Sequence, residues 1–183
     1  MSTPHLYQVN LVEIDLDSTP IKVRVDSLVI VGNVRGIRGC IDISVVKQLS
    51  IQNAHHGDVD NVFHYASEFT TLRDLHIAQP DLQPYNLNRF PKTIKRLALT
   101  DLDENSFELA IRFRELLEYL EFAGKSFSSS NWPRRYVRHQ RFQTEVGNIS
   151  GVIFPKLKVF VDGDAVFVID RILGEFYAAN LIN

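Results

Sequence analysis

The sequence predicts an α/β fold in which short parallel strands stack side by side while longer segments return along the opposite side. Three observations point there. One apolar spacing recurs along the chain, an aromatic residue repeatedly precedes it, and stretches between the copies carry helical periodicity.

The recurring spacing is an aliphatic residue, two variable residues, a second aliphatic, one variable residue and a third apolar residue. It occurs as Val25-Leu28-Ile30, Val46-Leu49-Ile51, Leu72-Leu75-Ile77, Ile94-Leu97-Leu99 and Leu117-Leu120-Phe122. Leu6-Val9-Leu11 is a weaker first copy, and Leu157-Phe160 is a degenerate last one in which Asp162 fills the third site. The last two apolar residues stand two apart, so an extended strand points both to one face, while the first enters the interior from the preceding turn. One such strand cannot bury its apolar side. Several stacked in parallel, with return segments behind them, make a continuous core.

Successive first positions lie 19, 21, 26, 22 and 23 residues apart, followed by an interval of 40. This pattern resembles that of leucine-rich-repeat proteins, whose units span about 20–29 residues. Phe154-Pro155-x-Leu157-x-x-Phe160 resembles their F-P-x-L-x-x-L junction. The resemblance covers residues 25 to 165 and extends to Leu6 if the weak copy is included. It implies a leucine-rich-repeat solenoid, with a parallel sheet on the concave face and helices or irregular segments on the convex face. The asparagine that regular families carry three residues after the last apolar site is matched by Asn33, but Ala54, Pro80, Leu102 and Lys125 stand there in later copies. Such irregular repeats are similar to those of intracellular F-box proteins, which implies a role as the substrate-recognition part of a ubiquitin-ligase receptor. Unrelated buried strands of a doubly wound sheet would give similar apolar runs, but no Gly-rich phosphate loop accompanies them.

A single domain over residues 1–183 divides into four parts. Residues 1–24 form an N-terminal strand or hairpin cap, because Val9 to Leu16 and Ile21 to Val31 partly alternate around the turn-forming Asp17-Ser18-Thr19-Pro20. Residues 25–124 hold the repeats. Their return segments include two amphipathic helices: Asp58 to Ala66, with Val59, Val62, Phe63 and Ala66 at helical spacing, and Glu104 to Glu118, with Phe107, Ala110, Ile111, Phe113 and Leu116-Leu117. Asp58 caps the first, and Asp103 or Asn105 the second, by accepting hydrogen bonds from first-turn amides. Phe69, Phe90-Pro91 and Phe154-Pro155 each close a return segment just before a strand. Residues 125–150 are a basic, aromatic insertion. Residues 151–183 carry the last repeat and a C-terminal cap, where Ala165 to Ile169 and Ile172 to Leu181 are apolar enough to cover the end of the core.

Bulk properties narrow the function. With 183 residues, 45% of them apolar, the chain can build its core without disulfides or metals. Twenty basic against 22 acidic residues leave a formal charge of −2, so no global field steers the protein to polyanions. Cys40 is the only cysteine, which excludes an intramolecular disulfide and a multi-thiolate zinc site and fits a reducing compartment. The first residues lack the basic start and apolar core of a signal peptide, and no stretch reaches the ~18 apolar residues of a membrane span. The expectation is an intracellular protein, cytoplasmic or nuclear, with no membrane partner.

Three sets of residues are candidates for function. In each strand the residues between the buried ones face the other way and line the sheet surface that solenoids use for recognition. They are Ser27 and Val29, Gln48 and Ser50, Asp74 and His76, Arg96 and Ala98, Tyr119 and Glu121, then Val159 and Val161. The middle of this lane, Asp74, His76, Arg96, Tyr119 and Glu121, includes the Tyr and Arg types enriched at binding hot spots. The second set is the insertion, with Trp132, Arg134, Arg135, Tyr136, Arg138, His139, Arg141 and Phe142. Between Lys125 and Arg141 it has five Lys or Arg and no acidic residue, a composition suited to an acidic protein surface or to nucleic acid. The third is His55-His56-Gly57-Asp58-Val59-Asp60 with His64, whose spacing matches no established metal site. With no nucleophile elbow and no phosphate loop, catalysis is not expected. The expectation is a non-enzymatic protein-binding module without cofactor or metal, with nucleic-acid binding through the insertion as the alternative.

Overall fold

A computed structural model of the chain describes residues 4–17, 21–53, 62–78, 88–100, 110–123, 154–162, 165–172 and 175–180. Within them, nine strands form one sheet in which each strand hydrogen-bonds to the next in chain order. These are β1 (His5–Val12), β2 (Arg24–Val31), β3 (Gln48–Gln52), β4 (Asp74–Ala78), β5 (Arg96–Thr100), β6 (Tyr119–Ala123), β7 (Val159–Asp162), β8 (Ala165–Ile172) and β9 (Glu175–Asn180). From β1 to β7 all pairs are parallel, and β8 and β9 then turn back antiparallel. The fold is therefore α/β, with a mostly parallel sheet and, among the described residues, little helix.

The register sets equivalent motif residues abreast. Leu28 pairs with Leu49, Leu49 with Leu75, Leu75 with Leu97, Leu97 with Leu120, and Leu120 with Phe160. Ile30, Ile51, Ile77, Leu99 and Phe122 form the next row. Both rows are buried, as are the six leading positions Val25, Val46, Leu72, Ile94, Leu117 and Leu157. A slip of one residue would turn every one of these side chains to water, so burial of one face fixes the pairing. Behind the sheet, Phe69, Phe90, Phe113 and Phe154 fill the core. Phe63 meets Phe90 edge-on at 6.1 Å, and Phe122 meets Phe160 at 5.9 Å.

A repeated backbone device starts β4 to β7. The carbonyl of Lys47 accepts from the amides of both Arg73 and Asp74, that of Arg73 from Lys95 and Arg96, that of Lys95 from Glu118 and Tyr119, and that of Glu118 from Lys158 and Val159. Threonine hydroxyls reinforce it one residue earlier: Thr71 Oγ1 donates to the Val46 carbonyl at 3.1 Å and Thr93 Oγ1 to that of Leu72 at 2.7 Å.

Three parts differ from the sequence expectation. The N-terminal hairpin does not form, because β1 runs parallel to β2 and the chain after it continues alongside the chain after β2 through an Asp15–Arg35 bridge. Gly36 makes this possible: its φ of 74° is the left-handed conformation that favours glycine, and a Cβ there would strike the Leu16 carbonyl. The first expected helix is instead a 3₁₀ segment, Val62–Glu68, kinked at Tyr65. Its tighter winding brings residues three apart into line, so Phe63 and Ala66, and Val62 and Tyr65, are buried together. In the second, Ala110 and Ile111 are helical and Arg112 to Leu116 are turns, with amide-to-carbonyl bonds spanning three residues at Phe113, Arg114 and Leu116. Val59, Phe107 and the proposed caps Asp58, Asp103 and Asn105 lie outside the described residues. Among the described residues, the remaining helical elements are short: α1 (Ile37–Cys40) and a 3₁₀ turn at Ile43–Val45.

Candidate functional site

Alternation along each strand sends the intervening residues to the face opposite the core, and the register assembles them into rows. Ser27, Gln48, Asp74, Arg96 and Tyr119 stand abreast across five strands. Val29, Ser50, His76, Ala98 and Glu121 form the second row. Val159 and Val161 extend the two rows onto β7. Except for Val29, these residues from Ser27 to Glu121 border an open groove of about 270 Å³.

Side chains within the groove hold one another in place. Gln48 Nε2 donates to Asp74 Oδ2 at 3.3 Å. The Arg96 guanidinium lies over the Tyr119 ring at 4.3 Å, and the Tyr119 hydroxyl donates to Glu121 Oε2 at 2.6 Å. Arg96 is thereby committed to an aromatic face rather than to Asp74, its register neighbour. Burial, followed by the bond to Glu121, pushes the Tyr119 phenol up to about 12.

A polar chain runs through Ser50 and His76 of the groove to Gln52 and Thr100 beyond it. Gln52 Nε2 donates to Ser50 Oγ at 3.3 Å, Ser50 Oγ lies 3.1 Å from His76 Nδ1, and His76 Nε2 lies 3.2 Å from Thr100 Oγ1. A neutral imidazole satisfies this chain, accepting from Ser50 at Nδ1 and donating to Thr100 at Nε2. Burial lowers the His76 pKa below its ordinary value, and the weaker opposing pull of Glu121 does not reverse this. The folded state therefore binds the His76 proton less tightly than the unfolded chain does. Stability is full above the ordinary histidine pKa of about 6.5 and falls as pH drops below it. Urea midpoints measured between neutral pH and mildly acidic pH are expected to decline more in the wild type than in His76→Gln, and parallel declines would exclude His76 as the cause.

One residue before each of β3 to β7 stands a charged residue: Lys47, Arg73, Lys95, Glu118 and Lys158. Lys95 Nζ and Lys158 Nζ clasp Glu118 at 3.0 and 2.6 Å, holding its carboxyl down at about 2. Lys47 contacts Asp26 at 3.0 Å, with His5 at 3.5 Å. These side chains are largely solvated, so the pairs orient the rim more than they stabilise it.

All five lane residues singled out from the sequence, Asp74, His76, Arg96, Tyr119 and Glu121, border one groove. Gln52 and Thr100 were missed, although they continue the same alternation one step beyond the last buried residue of their strands. Trp132, Arg134, Arg135, Arg138 and Arg141 lie outside the described residues, as do His55, His56, Asp58 and Asp60. His64 is exposed on the 3₁₀ segment. Among the described residues, no three His, Cys, Asp or Glu side chains are grouped to hold a metal, and no helix is long and apolar enough to cross a membrane. Cys40 donates to the Asp17 carbonyl at 2.8 Å. Compared with known proteins, the chain matches no family model, no curated protein and no solved structure.

Proposed function

We propose that the chain is a leucine-rich-repeat solenoid that binds a partner protein through the exposed face of its sheet, without catalysing a reaction. One observation carries this reading: nine outward-facing residues of β2 to β6 border one groove that combines an arginine, a tyrosine, two carboxylates and the hydrogen-bonded Ser50 and His76. The buried rows beneath hold that surface rigid, which lowers the ordering cost of association. Arg96 stacked on Tyr119 is an anchor of the type that dominates protein interfaces.

The Ser50–His76 contact is the feature nearest to a catalytic pair, and its surroundings favour binding instead. His76 Nε2 meets the Thr100 hydroxyl rather than a carboxylate, and burial weakens the imidazole as a base by more than the nearby Glu121 charge strengthens it. In this reading the basic segment 125–150, which joins β6 to β7, adds a second contact for an acidic part of the same partner. Substrate capture for a ubiquitin ligase is one form the role would take.

The test is affinity capture from cell extract with the wild type and with Arg96→Ala/Tyr119→Ala/Glu121→Ala. A specific partner is expected to be lost from the variant, since each hot-spot side chain contributes about 2 kcal/mol, or roughly 30-fold in affinity. Undiminished capture by a variant with an intact circular dichroism spectrum would exclude the groove. A captured nucleic acid, released steeply by salt, would overturn the protein-partner reading.

A further inference from the structure

The sheet's first edge is built unlike its interior. β1 pairs with β2 on one side, and no described strand lies on the other. At eight residues it is longer than the five-residue strands β3 to β6. Its sequence, HLYQVNLV, contains no Lys, Arg, Asp, Glu, Pro or Gly, so it lacks the devices that normally keep a strand edge from pairing.

The core is also open at this end. Leu6 occupies the leading motif position, yet it is 48% exposed where Val25, Val46 and Leu72 are 0%. Tyr7 is 72% exposed, and Val12, Ile14 and Ile21 are exposed as well. Five of the six exposed large hydrophobic residues among those described therefore fall between Leu6 and Ile21. An end of this kind presents unpaired backbone groups and uncovered apolar side chains together.

We propose that two copies of the chain associate edge to edge through β1, antiparallel about a two-fold axis perpendicular to the sheet. That operator uses one self-complementary patch twice and closes the assembly at two. It keeps both cores on the same side, so Val9 and Leu11 of each copy extend the core of the other. Charge selects the direction. Lys22 and Arg24 at the start of β2 outnumber Asp26, to which His5 is bound, while Glu13 and Asp15 follow the end of β1, so antiparallel pairing sets a net basic end against an acidic one. The uncharged strand between them neither repels its own copy nor offers an acidic or basic partner anything to pair with.

Sedimentation velocity over a dilution series, on the wild type and on Tyr7→Lys/Val12→Lys, tests this. The wild type is expected to be a dimer that dissociates on dilution, and the double-lysine variant a folded monomer, because it puts four like charges along the joint. Hydrogen exchange of the wild-type β1 amides gives a reading that needs no mutation: they should exchange faster as the dimer dissociates. The proposal is overturned if the wild type is monomeric at its highest soluble concentration, or if the folded variant still dimerises. Open-ended assembly, which would mean β1 pairing with β9 of the next copy, overturns it too, as does β1 exchange indifferent to dilution.

Discussion

Leu97→Asp is expected to abolish cooperative folding. Leu97 is fully buried, paired with Leu75 on one side and Leu120 on the other, in the row that runs through the middle of the core. A carboxylate at that position has apolar neighbours along its row and no route to water, so it either stays charged without a partner or takes up a proton at a large cost. Losses of this kind exceed about 4 kcal/mol, against a total stability of about 5–15 kcal/mol for an ordinary domain. Urea denaturation followed by circular dichroism should show no folded baseline. The adjacent Arg96→Ala removes an exposed side chain stacked on Tyr119 and should cost about 1 kcal/mol or less. Comparable losses from the two substitutions would mean that the alternation of inward and outward residues is misassigned.

The second large effect is expected at Phe90. This ring closes the return segment before β5, is 1% exposed and packs edge-on against Phe63 at 6.1 Å. Phe90→Ala leaves a void that the surrounding backbone cannot readily close, because the turn is pinned by Thr93 to the Leu72 carbonyl on one side of the gap. The cost should be about 3–5 kcal/mol, with Phe90→Leu losing markedly less because it keeps most of the volume. A shift of the urea midpoint worth under about 1 kcal/mol for Phe90→Ala would show that the ring is not part of the core.

The inward residues were legible because burial leaves a strict mark on sequence: at Leu75 and Ile77, or Leu97 and Leu99, only large apolar side chains fit. The outward rows follow from the same period, which is why the lane from Asp74 to Glu121 is legible in the sequence. Thr100 and Gln52 escaped because the motif ends at its last apolar residue while the strand continues. Their role comes from hydrogen bonds to His76 and Ser50 within and across strands, which spacing does not encode. The Glu118 clasp escaped for a similar reason: Lys95 and Lys158 are 23 and 40 residues away along the chain. At the N-terminus, alternation told which face β1 would bury but not the direction of its neighbour. That choice rests on Gly36 meeting the Leu16 carbonyl, a contact between residues far apart in sequence. The segment at Val62–Glu68 reads as an α-helix because 3₁₀ and α winding both bury residues three apart, and the period alone does not separate them.

The interval between β6 and β7 shows how little of this architecture depends on chain length. Tyr119 pairs with Val159 as squarely as Arg96 pairs with Tyr119, although the first two are 40 residues apart and the second two 23. Closing the longer loop costs only about 0.5 kcal/mol more, because the entropy of closure grows with the logarithm of length. Stacking side by side thus separates what must be conserved in space from what is free to grow between strands. A protein organised this way can acquire new peptide at its connections while the sheet face beside them keeps its geometry.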